Sequence, residues 1–540
     1  QSQSLDPNKL LELTRSSSEA TRYLGVEALA GIECWKDYQF KAVGEKVDGR
    51  TLVGLARSKD VDLRYFSSPP CHKTSQKAIY EELIDLLLLL PDTHEDKCIE
   101  YFTQIALKHA QPLQDQGGFW SFGGSTLASP DSKDHLSEST IELSSLAALV
   151  RHSTIHSNCV KIVDSGGLAL LQRVYQMKCD CLKTKILIGR ILANLSIIKQ
   201  LHDSIITSGW ISILAEWINC NSLVLTSLAA KILSNLDSDF IHHTLEEGVY
   251  ILHPIHRTKK KPILDIVLIH GIMGGSFKTW RQNDSSKLQN DNTSSCWPKD
   301  WLTEDIIGDI RIISVDYDTH LSEWAADCPY DTQKRSLANR GDEMIMKLKQ
   351  AGIGERPIIW LGHSLGGLLI KQILELSVHD TTRVYGGIKD STKGFIFYGV
   401  PHHGSYLSKL SNKAFYILYP SVEVQDLDHE SPKLKLLQNN FLQYVQNNSI
   451  PCLTFGELRK TQVTTGLKLD IVPPASSDTG YGDYHQIDTD HIGICKPSDK
   501  SSEIYQKTLD FIVQYLESNE DIVSDLYTET LPNYLLIEAF

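Results

Sequence analysis

A helical domain followed by a mostly parallel α/β sheet is the fold class predicted, on three observations. From about Leu10 to Asp237 the chain carries helical periodicity with few strand signals. After Pro262 short apolar runs alternate with helix-length amphipathic segments, the pattern of parallel strands buried on both faces. One of those runs leads directly into Gly362-His-Ser-Leu-Gly366, with Gly367 and a helical run after it.

Composition sets the limits. The 540 residues carry a formal charge of −14, with 41% apolar and 22% charged side chains. That is ordinary for globular proteins and excludes disorder. An acidic chain lacks the clustered Lys/Arg surplus that phosphate binding needs, so nucleic acid is excluded as a partner. The 11 cysteines form no CxxC pair, which points to free thiols. No apolar window approaches the roughly 18 residues of a membrane span, and Leu83 to Leu90 is interrupted by Asp85. The sequence is therefore expected to be soluble as it stands.

Within the helical half a unit recurs. Gly166 and Gly209 are 43 residues apart, Asn194 and Asn235 are 41 apart, and each copy reads as a short helix followed by a longer one. This period falls in the armadillo/HEAT range of about 40 to 47. Leu225, Leu228, Ala229, Ile232 and Leu236 form one apolar stripe that demands a neighbour. The expected layout is an armadillo-like helical domain over 1–245, a basic linker over 246–262 (with Lys259 to Lys261), a catalytic-type domain over 263–520 and a tail over 521–540. A charge run ahead of a strand reads as a solvated linker.

Strands are predicted at 263–269, 310–315, 357–361, 394–400 and 452–455. The third ends in the G-x-S-x-G turn, and strand, turn and helix in that order define the nucleophile elbow of an α/β-hydrolase. Ser364 is thus the candidate nucleophile. The first strand ends in His270-Gly-Ile-Met-Gly-Gly275, a turn whose Ile272 or Met273 N–H can pair with that of Leu365 as an oxyanion hole. His270 precedes the serine, against the chain order of this fold, and reads as a member of that turn. The late His491, in Asp490-His-Ile-Gly493, is the expected base, with His485 in reserve. Glu457, at a strand end between serine and histidine, is the favoured acid over Asp470. His270, Gly271, His363, His402 and Trp280 are placed around the substrate pocket. The stretch Asn283 to Trp301 is a candidate lid. No metal or organic cofactor is implied.

HGIMGGSFKTW (His270 to Trp280), GHSLGG (Gly362 to Gly367), YGVPHHGS (Tyr398 to Ser405) and DHIGICKP (Asp490 to Pro497) together resemble the serine-active-site-containing protein family, lipase-like hydrolases related to glycosylphosphatidylinositol inositol-deacylases. The resemblance implies remodelling of phospholipid acyl chains, phosphatidylglycerol in particular, at mitochondria and their contacts with the endoplasmic reticulum. It also implies a membrane surface as partner, and it supports Ser364, His491 and Glu457 as the catalytic set. Two other classes stay open: a non-catalytic scaffold that binds a protein partner through the helical half, and a peptide or protein ester hydrolase on the same fold.

Overall fold

The computed structural model describes residues 7–70, 77–91, 96–110, 137–239, 243–282, 295–319, 328, 330, 336–382, 384–405, 431–464 and 467–519. The chain forms two compact units, one of residues 66–213 and one of residues 1–65 together with 214–540. Among the described residues no helix is long and apolar enough to cross a membrane.

The 66–213 unit is helical, with helices at Ile79–Leu89, Lys97–Ala110, Glu138–His152, His156–Asp164, Gly167–Met177 and Leu182–Leu195. Leu83, Leu87, Leu146, Leu149, Ile162, Leu171, Ile188 and Leu192 are buried, as their helical spacing requires. Asn194 donates to the Ser153 hydroxyl at 2.9 Å. In the second copy of the sequence unit, the helices are Trp210–Ile218 and Leu223–Leu236, and the predicted stripe from Leu225 to Leu236 is buried. Its asparagine, Asn235, brackets Leu245, donating to the carbonyl at 3.1 Å and accepting from the N–H at 2.8 Å.

The other unit holds a seven-stranded sheet. In chain order the strands are β1 (Val249–His253), β2 (Leu264–Ile269), β3 (Ile310–Val315), β4 (Ile358–His363), β5 (Thr392–Tyr398) and β6 (Cys452–Glu457). A hairpin of β7 (Thr461–Thr464) and β8 (Leu467–Leu469) follows, and β9 (Asp483–Ile487) completes the sheet. Their spatial order is β1-β3-β2-β4-β5-β6-β9, with β1 antiparallel to β3 and every other pair parallel. This is the α/β-hydrolase sheet. Strands β2, β3, β4 and β6 are buried along their whole length, which is why they read as continuous apolar runs. One face packs Trp280, Trp297, Trp301, Tyr505 and Ile512 against Leu268, Leu361, Ile396 and Phe455. From β2 the chain passes to β3 on one side and then returns to β4 on the other. The crevice between the ends of β2 and β4 is therefore the topological switch point, where open α/β sheets place their ligands.

Two boundaries differ from the sequence expectation. The helical and sheet regions do not divide at residue 245, because residues 1–65 belong with the sheet unit. The reason is buried charge: Arg57 donates to Asp237 Oδ2 at 2.8 Å, Arg257 donates to the same carboxylate at 2.7 and 2.5 Å, and Arg22 holds Asp239 at 2.8 Å. A carboxylate in an apolar interior needs such partners, and the N-terminal segment supplies two of these three arginines. The 246–262 segment is no solvated linker throughout. It contributes β1, and its Arg257 is buried; only Lys259, Lys260 and Lys261 face solvent.

Candidate active site

The elbow is built from close approach. Ser364 sits between β4 and the helix Leu365–His379 with φ 52° and ψ −124°, a region costly to any residue with a side chain. It is held there because its N–H donates to the Tyr398 carbonyl at 3.0 Å and its carbonyl accepts from Gly367 N–H at 3.0 Å. A side chain on Gly362 would stand 2.7 Å from Gly367 Cα, and one on Gly366 would meet the carbonyl oxygens of Ile269 and His270. The small residues of the motif are thus required by packing, and the hydroxyl projects at the switch point.

Three predicted residues meet there. Ser364 Oγ lies 3.0 Å from His491 Nε2, and His491 Nδ1 lies 2.9 Å from Glu457 Oε1. Glu457 only accepts when ionised, so Nδ1 carries its proton and Nε2 is the lone-pair nitrogen facing the hydroxyl. The serine, histidine and glutamate are 6%, 9% and 5% exposed, which keeps bulk water from competing for these bonds. Val472 N–H donates to Glu457 Oε1 at 3.0 Å, and His491 N–H donates to Thr461 Oγ1 at 2.9 Å. Asp470, the reserve acid, is on the surface beside Lys460 at 3.3 Å. His485, the reserve base, lies on β9 with its ring beside Phe455.

The oxyanion turn follows β2. Met273, at φ 57°, gives its N–H to Thr319 Oγ1 at 3.0 Å, so of the two alternatives it is Ile272 that keeps its amide available. Leu365 N–H, at the first position of its helix, has no intrahelical acceptor. His270 shapes the turn: it stacks on Tyr317 at 4.5 Å, Nδ1 lies 2.8 Å from the Gly271 carbonyl, and the Tyr317 hydroxyl donates to the His270 carbonyl at 2.6 Å. Gly271 lies against Ser364, and a Cβ there would be 2.6 Å from Ser364 Cβ.

Other predicted pocket residues are elsewhere. Trp280 is fully buried in the core, edge-on to Trp297 and Tyr398, because its large apolar ring gains more by burial under the sheet than at a wet mouth. Of the candidate lid, 283–294 lies outside the described residues. Of the remainder, Cys296, Trp297, Pro298 and Trp301 are buried, with Trp297 Nε1–H donating to the Cys495 carbonyl at 3.0 Å. His402 is buried behind the helix Leu365–His379, where Nδ1 lies 2.6 Å from Lys371 Nζ, and Lys371 also donates to Gln438 Oε1. Burial holds both the Lys371 and the His402 pKa well below their ordinary values. Among the described residues no group of three His, Cys, Asp or Glu side chains is placed to hold a metal ion.

Gly399 is a site residue that sequence reasoning missed. It has φ +55°, and a Cβ there would stand 2.9 Å from Glu457 Oε2 and 3.1 Å from His491 Nδ1. Gly399→Ala is expected to push the acid and base apart and lower kcat on the order of 10²-fold, the scale of an ångström-sized misplacement. Steady-state kinetics with a soluble ester checks this; an unchanged kcat refutes it.

Comparison with known proteins gives the kinship. The sequence family described as the SERAC1 N-terminal domain matches residues 3–69. Protein SERAC1 of Danio rerio is 43% identical over 514 residues, covering 93% of this chain and 78% of that protein. The chain belongs to the SERAC1 family. The Homo sapiens SERAC1 protein is 42% identical over 519 residues, covering 94% of this chain and 78% of its own length. Among solved structures, mature lipase BlEst2 of Bacillus licheniformis aligns with a TM-score of 0.32 at 16% identity, over 48% of this chain and 97% of the lipase. The SERAC1 match at 3–69 covers the residues that join the sheet unit through Arg22 and Arg57.

Proposed function

We propose that this SERAC1-family protein is a serine hydrolase or acyltransferase that remodels phospholipid acyl esters, phosphatidylglycerol among them, through an acyl-serine intermediate. The observation that carries the reading is the unbroken chain from Ser364 Oγ through His491 to Glu457, at 3.0 and 2.9 Å. Ser364 Oγ attacks the ester carbonyl carbon while its proton passes to His491 Nε2. The carbonyl oxygen becomes an oxyanion held by the N–H groups of Leu365 and Ile272. The carbon–oxygen bond to the leaving alcohol then breaks, and that alcohol takes the proton from His491. Water or a lipid hydroxyl, giving its proton to His491 Nε2, then attacks the acyl carbon; the bond to Ser364 Oγ breaks and Oγ takes the proton back from His491.

A hydrocarbon-bearing substrate is supported by exposed apolar residues adjacent in sequence to the residues of the site. Met273 in the oxyanion turn, Ile492 beside His491 and Leu458 beside Glu457 are 59%, 56% and 52% exposed. Apolar side chains held open to water at the residues next to the reacting groups suit acyl chains. On the family resemblance we propose mitochondria and their endoplasmic-reticulum contacts as the place of action. The helix pairs from 167 to 195 and from 210 to 236 are read as armadillo-type units, the region that would take a protein partner.

The test is labelling by a fluorophosphonate probe, with Ser364→Ala as control, followed by fatty-acid release from phosphatidylglycerol vesicles and from peptide esters. Labelling of wild type alone and release from vesicles is the expected result. A folded, unlabelled wild type overturns the serine-hydrolase reading, and activity confined to peptide esters overturns the lipid reading.

A further inference from the structure

We propose that His363 is a positioning residue that ties the backbone of the His491 loop to the nucleophile elbow. The inference rests on Ser364 and His491 being the reacting pair. His363 immediately precedes Ser364 at the end of β4, so its backbone moves with the nucleophile. Its side chain reaches the loop after β9, where Nε2 lies 3.0 Å from the His491 carbonyl oxygen. A carbonyl only accepts, so Nε2 carries the proton and Nδ1 is bare. Nδ1 has no hydrogen-bond partner among the described residues and packs toward Gly271.

Two other ties, at the start of the loop, run to the opposite side. His491 N–H goes to Thr461 Oγ1 at 2.9 Å, and Arg459 N–H goes to the Thr489 carbonyl at 2.9 Å. Both fasten the loop to the chain just after β6, on the side of Glu457. Further along, the loop is held at Cys495, whose carbonyl accepts from Trp297 Nε1–H at 3.0 Å; on the backbone of His491 itself, the His363 bond is the one that runs to the side of the serine, and it bears on the spacing between Ser364 Oγ and His491 Nε2. Burial, reinforced by the neighbouring His491, pushes the His363 pKa down to about 3. The imidazole therefore stays neutral across the working range of a histidine base. That matters because the two rings are 5.0 Å apart, and a second cation there would oppose the imidazolium that His491 must become.

The experiment compares His363→Gln, His363→Asn and His363→Leu in the full chain on a soluble short-chain ester. A glutamine amide reaches the position of Nε2 and can donate to the His491 carbonyl; an asparagine amide stops near Nδ1 and cannot. The expected result is a kcat lowered on the order of 10²-fold in His363→Asn and His363→Leu, with KM unchanged and at least tenfold recovery in His363→Gln. The acid limb of kcat/KM should fall at the same pH in His363→Gln as in wild type, because the residue replaced is uncharged there. Equal kcat in the Gln and Asn variants, or a displaced limb in His363→Gln, overturns the proposal. Should His363→Leu fail to fold, the Gln–Asn pair still decides. Wild type that the fluorophosphonate does not label sinks the serine-hydrolase reading instead, so the two failures are told apart.

Discussion

Glu457→Ala is expected to lower kcat by about 10⁴-fold, the scale on which triad carboxylates act, with KM little changed, while Asp470→Asn leaves both constants at wild-type values. The difference follows from position. Glu457 accepts from His491 Nδ1 at 2.9 Å and is 5% exposed, whereas Asp470 is solvated beside Lys460. Without the carboxylate, the imidazole loses both the group that fixes its tautomer and the charge that stabilises its protonated form. Glu457→Gln separates these two losses. Val472 N–H donates to the same Oε1 that His491 uses, so it selects the amide rotamer with oxygen at that place. An amide turned the other way would set N–H against N–H. The correct tautomer then survives in Glu457→Gln and only the charge is missing, so kcat should exceed that of Glu457→Ala by at least about tenfold, since tautomer loss is a large share of the triad effect. Steady-state kinetics on a soluble ester, with circular dichroism to show that each variant is folded, measures this. Activity retained in Glu457→Ala, or lost in Asp470→Asn, reverses the assignment of the acid.

What was legible in the sequence follows the range of the forces involved. The elbow could be read because its requirements are local: the serine's strain and the glycines that permit it fall within Gly362 to Gly367. Strands β2, β3, β4 and β6 could be read because burial on both faces leaves mostly apolar residues, the charges of Asp265 and Arg311 being paired with each other. Strand β9 was missed for the opposite reason. It lies at the sheet edge, is partly exposed along Asp483–Ile487, and carries Tyr, His and Gln, which give no run and no clean alternation. Choosing Ile272 over Met273 needs Thr319, 46 residues later, whose hydroxyl occupies the Met273 amide. Trp280 was misplaced because it adjoins the oxyanion motif in sequence while its side chain turns toward Trp297 and Tyr398. Adjacency along the chain says where a backbone goes and little about which layer a large ring enters. The same limit hid the union of residues 1–65 with the sheet unit, since Arg57 and Asp237 are separated by 180 positions.

That union carries the largest expected effect on stability. Asp237 is 2% exposed and receives Arg57 and Arg257, which are 2% and 9% exposed. Burial raises the Asp237 pKa, but Arg57 and Arg257 outweigh it and hold the carboxyl below its ordinary value; burial lowers that of Arg57. Removing the one anion leaves two cations in an apolar interior, which typically costs about 3 to 5 kcal/mol. Asp237→Asn should therefore lower the urea midpoint of the sheet unit far more than Asp48→Asn, a change at an exposed helix cap. The pH dependence has a definite sign. A carboxyl whose folded pKa is depressed contributes stability that is present above its unfolded value of about 3.9 and is lost as pH falls through the folded value. Wild type should thus lose stability below about pH 4, near the unfolded carboxyl value, and the margin over Asp237→Asn should shrink there. The triple replacement Arg57→Met, Asp237→Leu and Arg257→Met removes all three charges together. Because apolar substitution of a whole buried ion group is often neutral or better, this variant should stand above Asp237→Asn at pH 7. If Asp237→Asn melts with wild type in urea, the trio does not hold residues 1–65 to the sheet unit, and the packing of the helix Gly49–Ala56 on the helix Leu223–Leu236 must do so instead.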